Sequence, residues 1–167
     1  MKTITLITAF IFASVLSNQA NAQNSATGTA NAAVTLITPI SITKVTDLEF
    51  GTFVASTSPG TITMTPAGSV SAAGGVTQIN GGSISAAAFT VAGEADQTYS
   101  ITLPGAVSLN GTLEGDALSL DGFTSTPDVS GVIGTDATIS VGGTLTVPAN
   151  SKADIYTGTF DVVVNYN

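Results

Sequence analysis

The chain has 167 residues, with Lys+Arg 3 against Asp+Glu 11 and a formal net charge of −8. Its cations are Lys2, Lys44 and Lys152, with no arginine, so it lacks the side chains that neutralise phosphates. This excludes nucleic acid as a partner and argues against docking on an anionic membrane. Histidine and cysteine are also absent, which removes Ser-His-Asp and Cys-His catalysis and the usual zinc ligands.

Taken in chain order, the first 22 residues read as a cleaved signal peptide. Lys2 supplies a positive start, Ile4 to Leu16 form an apolar stretch, and Ala20-Asn21-Ala22 is a small-x-small cleavage pattern. The apolar stretch is short for a bilayer, which needs ~20 apolar residues. No second apolar run of spanning length follows, so no membrane insertion of the mature chain is expected. The expected destination is periplasm, cell surface or medium. Disulfides are permitted there but cannot form in this chain, so stability must come from the core, from backbone pairing or from assembly.

Residues 23–43 read as an N-terminal extension. From Ala26 the even positions Ala26, Gly28, Ala30, Ala32, Val34 and Leu36 are small or apolar, and the odd ones are mainly Thr, Asn and Ser. That is the period-two pattern of a strand, continued through Thr38, Ile40 and Ile42. The run exceeds the usual ~5–6 residues, and Pro39, without an N–H, suggests a break or an edge position in its middle. Two strands are expected, 28–37 and 40–46.

The remainder, 44–167, reads as one β-domain. Short alternating pieces surround Phe50, Ile62 and Met64, Phe89 and Val91, Tyr99 and Ile101, Leu118 and Leu120, and the run from Ile139 to Val147. Ser71–Ser85, rich in Gly, Ala and Ser, reads as an irregular loop or weak strand. Gly142-Gly143 reads as a bulge or tight turn. The clearest strand is the last, with Tyr156, Gly158, Phe160, Val162, Val164 and Tyr166 on one face and Thr, Asp, Val and Asn on the other. No stretch shows a helical apolar stripe. The fold expected is all-β, an antiparallel sandwich of immunoglobulin-like or jelly-roll type with about eight strands.

Candidate chemistry is thin. Ser151-Lys152 are neighbours on an extended chain and face opposite ways. Glu94 and Asp96, and the group Glu114, Asp116, Asp121 and Asp128, offer carboxylates for acid–base work or for calcium. Their spacing is not that of a calcium loop, and aromatic platforms for a sugar are scarce, so they read first as solvated turn acids. The glycines at 74–75 and 81–82 lack the Lys-Ser/Thr sequel of a phosphate cradle. No catalytic residue, cofactor or metal ligand is assigned, and the chain is not expected to be an enzyme.

The two ends suggest assembly instead. An incomplete sandwich exposes a groove that a neighbour's extended segment can fill by strand addition. Here Ala26 to Leu36 is the candidate donor. The strand carrying Phe160, Val162, Val164 and Tyr166 is the candidate acceptor, or the edge that a periplasmic chaperone pairs with. The alternatives are that both ends complete their own sheets, or that the domain is a monomeric module for a glycan or calcium.

The segments LEFGTF (48–53), GTITMTPAG (60–68), AAFTVAG (87–93), TYSITLP (98–104), VGGTLTVPAN (141–150) and YTGTFDVVVNYN (156–167) resemble the bacterial family named domain of unknown function 4402. The resemblance implies an exported β-sandwich in Gram-negative bacteria, sometimes associated with chaperone–usher pilus components, and no enzymatic activity. Through the final strand and penultimate Tyr166, the chain also distantly resembles cysteine-free fimbrial subunits.

Overall fold

The computed structural model describes residues 25–113, 116–135 and 137–167. The expected signal peptide, Glu114, Gly115 and Asp136 lie outside the described residues. The chain divides into two units, Met1–Thr35 and Leu36–Asn167. Of the first, residues 25–35 are described, and all are exposed without regular secondary structure.

The second unit is all-β and antiparallel. Its strands are β1 (Ser41–Thr46), β2 (Glu49–Met64), β3 (Val70–Ser85), β4 (Ala87–Ala92), β5 (Thr98–Thr102), β6 (Ala106–Gly111), β7 (Leu118–Thr126), β8 (Ser130–Val132), β9 (Thr138–Val147), β10 (Tyr156–Thr157) and β11 (Val163–Tyr166). An eight-stranded sheet runs β1-β4-β9-β7-β6-β10, with β2 added on β9 and β3 on β2; a three-stranded sheet runs β11-β5-β8. Among the described residues no helix is long and apolar enough to cross a membrane.

Alternation drives this arrangement. In β9 the side chains of Ile139, Val141, Leu145 and Val147 are all buried, because the face they share packs into the two core clusters. One core cluster joins the two sheets through Val91, Ile139 and Val141 of the large sheet and Tyr99, Ile101 and Val164 of the small one. A second cluster gathers Ile62, Val76, Leu118, Leu120, Leu145 and Val147. Tyr99 is fully buried in the first cluster, and burial pushes its phenol above the usual 10.0.

Several expectations are corrected or narrowed. The strand expected over 28–37 does not form: residues 25–40 belong to no strand, because alternation supplies two faces but no partner within the chain. Its sequel at 40–46 is β1, which pairs with β4. For Ser71–Ser85 the weak-strand alternative holds: it is the outer arm of a long hairpin with β2, interrupted by two register shifts, and most of its residues stay exposed. Gly142 and Gly143 lie inside β9 and form no turn; a Cβ on Gly142 would run into the Met64 carbonyl, so glycine lets β2 and β9 close up. The bulge is on the partner strand, between Asp121 and Thr124, where Gly122 has φ 56.

The final strand is also divided. Tyr156–Thr157 pair with β6 in the large sheet, and Val163–Tyr166 pair with β5 in the small one. Residues 158–162 cross between the sheets and join no ladder. The facing is as expected nevertheless: Val162 and Val164 are buried, Phe160 and Tyr166 half-buried, and the odd positions exposed. The strand count rises to 11 because of such short pieces.

Candidate functional site

The N-terminal arm is the first part of the site. Ala26, Gly28, Ala30, Ala32, Val34 and Leu36 are all exposed, and the two largest stand almost free, Val34 at 83% and Leu36 at 89%. Nothing lies within 4 Å of the place a Cβ would take on Gly28. Residues 25–37 contain no charge, so this is uncharged, apolar-faced chain with its backbone groups unladdered.

The root of the arm, by contrast, is fixed. Tyr166 donates its hydroxyl proton to the Thr38 carbonyl at 2.6 Å and accepts from the Glu94 N–H at 2.7 Å. Glu94 Oε2 in turn accepts from the Thr38 N–H at 3.1 Å and the Thr38 hydroxyl at 2.9 Å. The two Thr38 hydrogen bonds, backbone first, hold the Glu94 carboxyl below its usual 4.5. Gly93 makes room for the ring, since a Cβ there would overlap the Tyr166 hydroxyl. The three segments meeting here are the arm root, the β4–β5 turn and the end of β11.

The sequence did not reveal this clamp. Glu94 reads as a solvated turn acid, and Tyr166 only as the end of a pairing strand. The residues lie 56 and 128 positions from their partners, and nothing local connects them.

The second part is a groove of about 870 Å³ beside the second core cluster. One wall is the first half of β2, Glu49–Ala55, and the other is the segment from Ser151 to Phe160. Its apolar lining includes Phe50, Phe53, Leu109, Leu120, Tyr156 and Phe160. Phe160 is held by a tilted ring contact with Phe123, centroids 5.0 Å apart, and edge-on with Phe89 at 6.4 Å. Both walls have an open backbone edge. β2 pairs with β3 along 49–55 but meets β9 only from Gly60 onward. Residues 158–162 are unladdered. At one end the walls touch, where the Asn150 N–H donates to the Ser56 carbonyl at 2.9 Å. Lys44, paired with Asp47 at 2.6 Å, stands among the lining residues.

The expected acceptor residues are therefore placed unequally. Phe160 lines the groove, Val162 and Val164 serve the first core cluster, and Tyr166 serves the clamp. The β2 wall was not anticipated; the LEFGTF segment supplies Phe50 and Phe53 for it. The acids do not converge: among the described residues no group of three or more Asp and Glu is arranged to hold a metal. Asp154, which the sequence reading passed over, instead organises a turn by accepting from the N–H groups of Thr112, Leu113 and Ile155. Ser151 donates to the Pro148 carbonyl at 2.8 Å, an interaction within its own turn.

No curated protein and no solved structure matches the chain. Residues 40–166 match the family model described as Domain of unknown function (DUF4402), and the chain belongs to that family.

Proposed function

We propose that the protein is an exported structural or adhesive subunit of a bacterial surface assembly, built by β-strand exchange and without catalytic activity. Residues 26–36 are donated to a neighbouring copy, and the edge formed near the C-terminus receives them. A periplasmic chaperone would hold the same open edge before assembly.

The observation that carries this reading is the arm. An uncharged segment with alternating apolar side chains stands unpaired, with Leu36 at 89% exposure, while the domain behind it is well packed. Pairing costs such a segment conformational entropy, which a hydrogen-bond ladder and apolar burial offset. The residue inventory supports the non-catalytic half, since the chain has no histidine, cysteine or arginine.

The test is deletion of residues 23–36 from the mature chain. The deletion should leave a folded monomer where the intact chain forms polymers; polymers that persist unchanged would end the donor assignment.

A further inference from the structure

Five strands have, among the described residues, a partner on one side alone: β1, β3 and β10 in the large sheet, β8 and β11 in the small one. Such an edge presents unpaired N–H and C=O groups to other chains, and proteins blunt it by shortness, charge or proline. Four of these edges are blunted. β10 has two residues, β8 three and β11 four, and β1, with six, carries Lys44. β3 differs: it runs for 16 residues, Val70–Ser85, and contains neither a charge nor a proline.

We propose that β3 pairs antiparallel with β3 of a second copy of this chain, extending the large sheet across a two-fold axis. This contact goes beyond strand exchange and does not depend on the N-terminal arm. Strand exchange joins copies end to end, whereas the β3 edge joins them side by side.

Charge selects a second copy as the occupant. Each chain carries a net −8, so two copies repel unless they meet where the charge is missing. Between Glu49 and Glu94 no residue is charged, and the β2–β3 hairpin fills most of that stretch. The same surface offers a cationic or anionic partner nothing to pair with. An edge meeting its own copy antiparallel is self-complementary, as a two-fold contact requires. The hairpin also leaves Val54, Ile79 and Ile84 exposed at 53%, 45% and 42%, so apolar area is available beside the new ladder.

The pairing with β2 fixes how two such edges can meet. The extra residues of one register shift, 56–59, sit in β2, and those of the other, 80–83, sit at the far end of β3. Val70–Ile79 is therefore an uninterrupted run on the β3 side. Val70, Ala72 and Val76 lie opposite Met64, Ile62 and Ala55, on the core-facing side, so Ala73 and Thr77 share the solvent face. Directly opposed residues must share a face. An axis at Gly75 satisfies this and sets Ala73 of one copy opposite Thr77 of the other. No side chain obstructs the axis, because Gly74, at φ 74, and Gly75 occupy it.

The absence of native cysteine makes the test direct. Full mature chains carrying Ala73→Cys, Thr77→Cys or, on the edge strand β8, Val132→Cys are mixed in pairs under mild oxidation. All three positions are exposed, and unchanged thermal melting confirms that each variant folds. Directly opposed residues on adjacent strands lie within disulfide range, so 73–77 links should exceed links to position 132 by at least ~tenfold. Links of 73 to 73 and 77 to 77 in their place would mean parallel strands and overturn the proposal. Links no more frequent than those to position 132, or chains that stay monomeric, would overturn it as well. In a chain with native β8 and no cysteine, Ala73→Glu with Thr77→Glu sets like charges opposite one another and should weaken side-by-side association at least ~tenfold. The arm variant Val34→Ala with Leu36→Ala should leave the 73–77 link intact. Loss of the link in that variant would make the contact a consequence of strand exchange and overturn its independence, whereas a link that survives where strand exchange fails leaves the β3 contact standing.

Discussion

The double substitution Val34→Ala with Leu36→Ala separates assembly from folding. Both side chains are almost fully exposed, at 83% and 89%, so the isolated domain loses no packing when they shrink. Changes at such positions usually stay within ~0.5 kcal/mol of neutral. In an assembled state the same atoms would be buried. Val→Ala removes two carbons and Leu→Ala three, which at ~0.8 kcal/mol per carbon amounts to ~4 kcal/mol per junction. At ~1.4 kcal/mol for each factor of ten, the association constant falls by about 10³. Sedimentation velocity over a concentration series reads this directly, with thermal melting of the monomer as the control. Unchanged association of the double variant would refute the claim that the even-numbered apolar face makes the junction. A large drop in the melting temperature of the monomer would refute the exposure on which the reasoning depends.

Further expectations concern the clamp and the core. Tyr166→Phe removes the hydrogen bonds to the Thr38 carbonyl and the Glu94 N–H, and should lower domain stability by about 0.5–1.5 kcal/mol in a denaturant titration. Gly93→Ala should do the same by displacing the Tyr166 hydroxyl, and the two changes together should be much less than additive. The carboxyl of Glu94 is held below its usual 4.5 in the folded state, so its contribution is present above that value and is lost as pH falls through the lower folded one. The protection of the Thr38 amide, its exchange rate taken relative to that of an unstructured peptide at the same pH, should therefore fall on acidification in the native chain, and Glu94→Gln should remove that pH dependence. Gly142→Ala forces a Cβ against the Met64 carbonyl between two paired strands, and should cost at least ~1–3 kcal/mol in the same titration.

The sequence carried the facing of side chains better than their pairing. Period-two alternation correctly assigns Val162 and Val164 inward and their odd neighbours outward. It cannot say that Tyr156–Thr157 and Val163–Tyr166 belong to different sheets, because the change of sheet is decided by β6 and β5, far earlier in the chain. The same limit explains the arm: 28–37 has a strand's faces and no strand partner, so it remains coil. For β3 the sequence left a loop and a weak strand open. Its composition is that of a loop, yet β2 holds it in register from Met64–Val70 to Glu49–Ser85, with glycines at positive φ absorbing the irregularities. The clamp was illegible because Thr38, Glu94 and Tyr166 are each ordinary in their local setting and acquire a role only where the fold brings three distant segments together.

Strand exchange between copies is directional: one end donates and the other accepts, giving an open, head-to-tail chain. A mature chain lacking residues 23–36 could accept a strand but not donate one, and would terminate growth. The decisive measurement is the length distribution of polymers, by electron microscopy or light scattering, as this shortened chain is added to the intact one in rising proportion. Strand exchange predicts that mean length falls steadily with the fraction added and that each polymer takes up one shortened copy. Polymers of undiminished length, with no shortened chain incorporated, would contradict it.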